Sequence, residues 1–327
     1  MSVPFIDPAS PLQFVINASA GAFDLDAKRA VIQSALTAQG RKGELLICRP
    51  ADLAQVAAEA AAAAVARSTA VIAVGGDGSL NTVAQAAHAA GCAMGVIPYG
   101  TFNYFARTHD IPTEPAAAAR QLLNARPLPV QVGAINDRIF LVNASLGAYP
   151  ELLQDREAYK ARFGRSRWVA FVAACATLLR AQRQLRLHIE MGSAVRDVQT
   201  LTLFVGNNRL QLQQFGAEPE DTLPGTPGHG SIAALMLRPI GTLSMLRLML
   251  HGAMGRLGEA AGVEGFEFQH MVVKPTLAPG RKEVVVAFDG EVARMRAPID
   301  IRVLDKPLYL LQATGAAGTA DAPQAAA

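Results

Sequence analysis

The sequence predicts an α/β protein in two parts, a three-layer α/β domain followed by an antiparallel β-sandwich. Three observations lead there. Up to about residue 125, short apolar runs alternate with helical stretches, the pattern of a parallel sheet covered on both faces. From Leu128 onward the runs are short, alternate in polarity and are punctuated by Gly and Pro, as in a sandwich. The 327 residues, 51% hydrophobic and 17% charged, are enough for two cores.

The first strand is "LQFVIN" (12–17), which closes on a turn of small residues at 18–21. Helical spacing over 24–39 precedes a second strand, "GELLIC" (43–48). Asp52 is placed to cap the next helix, whose Ala-rich stretch at 57–67 favours helix strongly. "AVIAV" (70–74) is a third strand, 80–90 a helix, "AMGVIP" (93–98) a fourth strand and 115–125 another helix.

In the second part, "LPVQVGAINDRIFLVNASLGAY" reads as paired strands, interrupted by a helical stretch at 157–183. Strands resume at "LRLHIEM", "VQTLTLFVGN", "GSIAALMLRP", "FEFQHMVVKP", "KEVVVAFDGE" and "IDIRVL", with one further helix over 243–261. The expected domains are 1–127 and 128–306, then a strand at 307–313 that returns to the first domain. The tail, 314–327, has too little to bury and is expected to be disordered.

A formal charge of +3 gives no reason to expect nucleic acid, although Arg greatly outnumbers Lys and local anion-binding patches fit that bias. Cys48, Cys92 and Cys175 are scattered, without metal spacing, which suggests buried thiols in a reducing compartment. The start, "MSVPFIDPASPLQF", has no basic n-region or apolar h-region, so no signal peptide is expected. No apolar run approaches the roughly 20 residues that span a bilayer.

Three stretches carry chemistry. In the first, Gly75, Gly76, Asp77, Gly78 and Ser79 stand where a strand meets a helix. That geometry aims backbone N–H groups and a helix N-terminus at phosphate. An aspartate there repels phosphate unless a divalent metal bridges the two. Asp77 would then hold Mg²⁺ or position a hydroxyl, and Ser79 would donate to a phosphate or cap the helix. A tight turn with Asp as N-cap explains the isolated motif equally well.

The second stretch is "VIPYGTFNYFARTHDIP" (96–112), which follows the next strand and reaches the same sheet edge. Gly100 supplies a turn, Thr101 and Asn103 hydrogen-bonding side chains, and Arg107 a fork for phosphate. The third stretch, Asp289-Gly290-Glu291, needs no function as a plain hairpin turn.

Taken in order, GGDGS, IPYGTFNYFAR and a late FDGE resemble the diacylglycerol-kinase-like lipid kinases, over residues 12–312. The resemblance implies an ATP site, with Mg²⁺, in a cleft between an α/β domain and a β-sandwich. It matches Asn17 and Gly21 to the family's nucleotide loop, with Ala18 and Ala20 in place of its Pro and Ser. Gly75, Gly76, Asp77, Gly78, Ser79, Gly100, Thr101, Asn103 and Arg107 match nucleotide-binding positions, and Asp77 is the expected metal residue. Thr82 stands where many members carry Glu. Asp289 is the expected general base, with Glu291 orienting it or the metal. A structural Mg²⁺ site of bacterial members would fall at His229-Gly230, with Asp221 nearby but out of register.

The implied partner is a lipid substrate such as diacylglycerol, met through transient peripheral contact with a membrane. A homodimer is left open. The expected location is the cytoplasm, extending to the inner face of the membrane. Arg156, Lys160, Arg162, Arg165 and Arg167 lead into an apolar stretch that would suit anionic lipid, or simply a core helix. Two rival readings are a non-catalytic nucleotide- or lipid-binding regulator built on this fold and an NAD-kinase-like enzyme. The chain lacks the Gly-Ser-Thr-Ala-Tyr type stretch of NAD kinases.

Overall fold

The computed structural model describes residues 3–19, 25–147, 185–207, 230–237 and 263–313. The chain divides into two compact units. One runs to Val130 and resumes at Lys306; the other is Gln131–Asp305.

In the first unit the parallel strands are β1 (Leu12–Asn17), β2 (Gly43–Cys48), β3 (Ala70–Gly75) and β4 (Ala93–Pro98). Between them lie α1 (Leu25–Ala38), α2 (Leu53–Ala66) and α3 (Asp77–Ala90), followed by α4 (Tyr104–Thr108), α5 (Pro115–Leu123) and strand β5 (Arg126–Val130). Every residue of β3 and β4 is buried. That is the consequence of helices on both faces, and it is why these strands read as unbroken apolar runs.

The order β2-β1-β3-β4 places β1 between its successor and β3. Helix α1 packs with α5, and α2 with α3. The connections after β1 and β3 therefore leave the same sheet edge in opposite directions. Such a switch point opens a crevice at the carboxyl ends of the strands, where open α/β sheets take ligands. Both Asn17 and the turn at Gly75 lie at that edge.

The second unit begins with β6 (Gly133–Ile135), β7 (Arg138–Phe140), β8 (Asn143–Gly147), β9 (Leu185–Met191), β10 (Ala194–Thr200) and β11 (Thr202–Gly206). It continues with β12 (Ile232–Leu237), β13 (Val263–Phe268), β14 (His270–Pro275), β15 (Glu283–Phe288), β16 (Glu291–Arg296) and β17 (Ile299–Val303). They form two sheets, β10-β9-β14-β17-β6-β7 and β13-β12-β11-β8-β15-β16. All their pairings are antiparallel. Alternate residues such as Leu187 and Ile189 on one sheet and Val286 and Phe288 on the other share one core. Burying side chains of this size contributes about 1.5–3 kcal/mol each. Finally β18 (Leu308–Gln312) returns to the first unit, parallel to β4 and antiparallel to β5.

Several local expectations need correction. Asp52 makes no side-chain cap. Residues Pro50–Asp52 form a 3₁₀ turn that runs straight into α2, so Asp52 is already helical and its carboxylate pairs with Arg49 instead. Helix α3 begins at Asp77, three residues before the expected start at Leu80. The stretch from Leu128 to Val130, read as part of the sandwich, pairs with β18 in the first sheet.

Some expectations fall outside the described residues. They are Gly21, the cluster Arg156, Lys160, Arg162, Arg165 and Arg167 with its apolar stretch, the helix at 243–261, Asp221, His229 and the tail.

Candidate functional site

The site grows from the end of β3. Gly76 is the N-cap of α3, with φ −86° and ψ 178°, and as a glycine it offers no side-chain cap. Neither Asp77 nor Ser79 does the capping that the sequence allowed. The first-turn N–H groups receive no cap from the N-cap side chain, and the helix dipole adds partial positive charge there.

The second loop lies directly against this turn. A Cβ on Gly76 would stand 3.3 Å from Gly100 Cα, and one on Gly100 would stand 3.0 Å from Gly76 Cα. The two loops meet this closely because both positions are glycine. The Tyr99 amide donates to the Gly75 carbonyl at 2.8 Å, which extends the β3–β4 ladder into the loops.

Asn103 shapes the second loop from inside. It is buried and left-handed at φ 50°. Its Oδ1 accepts from the Gly100 amide at 2.9 Å, and its Nδ2 donates to the Gly100 carbonyl at 3.1 Å. The side-chain amide closes its own loop and holds Gly100 in place. Thr101 and Arg107 lie exposed on either side.

Asp77 is held at the start of α4. The amides of Phe105, Asn103 and Tyr104, with the Arg107 charge, favour its ionised form, but burial outweighs them and raises the carboxyl above its ordinary pKa. Its Oδ1 is buried without a hydrogen-bond partner among the described residues. Such an oxygen is costly to leave unpaired. It fits a cation or a hydroxyl supplied by a ligand. A single carboxylate suits Mg²⁺, which keeps waters and takes most other ligands from phosphate. Among the described residues no group of three His, Cys, Asp or Glu forms a self-sufficient metal site.

Asn17 joins from β1. Its Nδ2 donates to Ser79 Oγ at 2.8 Å, and its Oδ1 accepts from the Ser19 amide at 3.0 Å. The Ser79 hydroxyl is thereby an acceptor toward Asn17 and keeps its own proton to donate. Sequence reasoning missed Lys28 and Tyr99. Lys28 is fully buried, and its Nζ donates to the Asn17 carbonyl at 3.2 Å. The signal was available: Lys28 sits one turn before Ile32 on the face of α1 that also buries Leu36.

The second group of candidates belongs to the second unit. Asp289 and Gly290, both at positive φ (47° and 86°), form the two-residue turn of the β15–β16 hairpin. The Asp289 carboxylate accepts three backbone N–H groups, from Leu141 at 2.7 Å, Val142 at 2.8 Å and Asn143 at 3.0 Å. Its own amide donates to the Asn143 carbonyl. This buried carboxylate therefore anchors the link between β7 and β8. Hydrogen bonds to the ionised form weaken a carboxylate as a base. Glu291 is at the surface. Partial burial of its carboxyl raises its pKa above the ordinary value, against the pull of Arg138.

Residues 11–135 match the family model of the diacylglycerol kinase catalytic domain. This stretch is similar to that domain. It contains every candidate of the first unit, from Asn17 to Arg107. A "Probable lipid kinase YegS-like" protein of Pseudomonas aeruginosa (strain UCBPP-PA14) is 38% identical over 122 residues, 36% of this chain and 39% of that protein. A protein of the same description from Pseudomonas putida is 40% identical over 98 residues, 29% and 32% of the two chains. The matched stretch thus spans well under half the length of these curated relatives. "Uncharacterized protein sll0036" of Synechocystis is 30% identical over 243 residues, 73% of this chain and 54% of that one. Beyond that stretch, the fold resembles that of a solved structure of a diacylglycerol kinase from Bacillus anthracis str. Sterne. The TM-score is 0.64 at 16% identity, covering 93% of this chain and 97% of that one.

Proposed function

We propose that this protein is a lipid kinase that transfers the γ-phosphoryl group of Mg-ATP to a lipid hydroxyl, with diacylglycerol the first acceptor to test. The carrying observation is the buried Oδ1 of Asp77, without a hydrogen-bond partner among the described residues, where two glycine turns meet beside the N-terminus of α3. The turn amides and the α3 N-terminus bind phosphate oxygens, and Ser79 donates its hydroxyl proton to one of them. Arg107, exposed beside the loop, pairs with the same charge. When bound, Mg²⁺ neutralises phosphate charge. Asp77 is the residue that would hold it. Phosphoryl transfer has a loose transition state, so placing and neutralising the phosphates is most of the catalytic task.

The turn at 289–291 offers two carboxylates as candidate bases for the acceptor hydroxyl. Glu291 is the better base of its two carboxylates, because Asp289 is committed to three amides and Glu291 has the raised pKa. The lipid acceptor is supported by the names of the relatives, lipid kinase and diacylglycerol kinase. Purified protein, ATP labelled in the γ-phosphate and a lipid panel resolved by chromatography test the proposal. Label should appear in a lipid only with Mg²⁺ present. Label in NAD instead would favour the NAD-kinase-like reading, and nucleotide binding without any transfer would favour the regulator.

A further inference from the structure

Helix α1 turns a charged residue into the core. Lys28 has 0% of its surface exposed. Its ammonium donates to the Asn17 carbonyl at 3.2 Å and lies 5.5 Å from the centroid of the Tyr99 ring. Asn17 ends β1, and Tyr99 follows β4. A single cation therefore touches the two loops that flank the Gly75–Ser79 turn.

Both neighbours are themselves bonded to that turn. The Asn17 side chain donates to Ser79 Oγ at 2.8 Å, and the Tyr99 amide donates to the Gly75 carbonyl at 2.8 Å. Burying an ammonium is costly even when it is well bonded, and an apolar side chain of similar size is commonly as stable or more so. Burial of this cation therefore raises the question of a use other than stability. Charge also acts over a longer range in a low-dielectric interior than in water.

We propose that Lys28 is a positioning residue for the nucleotide phosphates, a role resting on the reading that the Gly75–Ser79 turn binds them. Its ammonium fixes the Asn17 carbonyl and the Tyr99 ring, which sets the loops on either side of the turn. It also supplies positive charge from behind the loops, without touching the ligand.

The test is Lys28→Met, which keeps the length of the side chain and removes its charge. Three quantities are measured on the full chain: ATP affinity by calorimetric titration with Mg²⁺, the melting temperature, and the KM for ATP against kcat. The expected result is an ATP affinity about tenfold weaker. The melting temperature should be unchanged or higher, and the KM should rise while kcat stays within about threefold. Affinity within about twofold of the original protein would overturn the proposal. So would a loss of affinity that comes with a clear fall in melting temperature, because Lys28 would then serve the fold alone. Tyr99→Leu is the second variant, and it decides the matter if Lys28→Met does not fold. It removes the ring beside the cation and should weaken ATP by about threefold; unchanged affinity counts against the proposal. If the unaltered protein binds no ATP, the reading of the turn fails first, and that result is distinct from a failure confined to the variants.

Discussion

Replacing Asp77 by Asn separates its two roles, which the structure assigns to different oxygens. One side of the carboxylate faces the amides of residues 103–105, and Oδ1 is buried without a partner among the described residues. Asparagine keeps one acceptor oxygen for the amides. It offers a neutral acceptor in place of a charged one, a loss on the order of 1 kcal/mol. The same change relieves the burial of a charge, which favours the variant. The two effects oppose each other, so the net should stay within about 1 kcal/mol, or roughly 2–4 °C in melting temperature for a unit of this size. Turnover is a different matter. Losing a group that stabilises transition-state charge typically lowers it about 10²–10³-fold. Raised folded pKa means that the folded protein holds this proton more tightly. The favourable contribution is therefore present below the unfolded pKa and is lost as pH rises through the folded one. The variant should lack that slope. Calorimetric melting and steady-state kinetics across pH check all three points. A variant with full turnover, or one that melts more than 10 °C lower, refutes the reasoning.

Asp289→Asn should lower the melting temperature of the second unit, because an amide NH₂ must replace an acceptor oxygen toward three backbone donors. Glu291→Gln should leave melting unchanged and lower turnover about 10²-fold or more; the reverse pattern would restore Asp289 as the base. Burial pushes the pKa of His109 down to about 4, so the folded protein keeps it neutral. Its contribution should be lost as pH falls from about 6.5 through 4. His109→Phe keeps the packing against Phe105 and should flatten that limb in pH-dependent denaturation of the first unit.

The first sheet was legible because its strands are unbroken apolar runs between glycine turns, and four of them fall where the sequence put them within a residue. The glycine turns marked the sheet edge for the same reason: close approach of two backbones demands glycine at Gly76 and Gly100. What side chains do inside that edge was less legible. Asn103 and Asp289 carry ligand-type groups that also bond to the backbone, and only three-dimensional proximity shows it. Helix α4 is five residues long, too short for a periodic signal. Lys28 was hidden for a different reason. A lone basic residue on an apolar face is usually read as a solvated one, and only its neighbours on β1 and after β4 give it a purpose.

The central claim is phosphoryl transfer at the Asp77 turn to a lipid hydroxyl. The most direct measurement is transfer of γ-labelled phosphate from ATP to diacylglycerol in mixed micelles, with the unaltered protein and Asp77→Asn run side by side. The account predicts labelled phosphatidic acid from the unaltered protein, dependent on Mg²⁺, and about 10²-fold less from the variant. No label in diacylglycerol or in any other lipid hydroxyl, from protein that binds Mg-ATP, would contradict it.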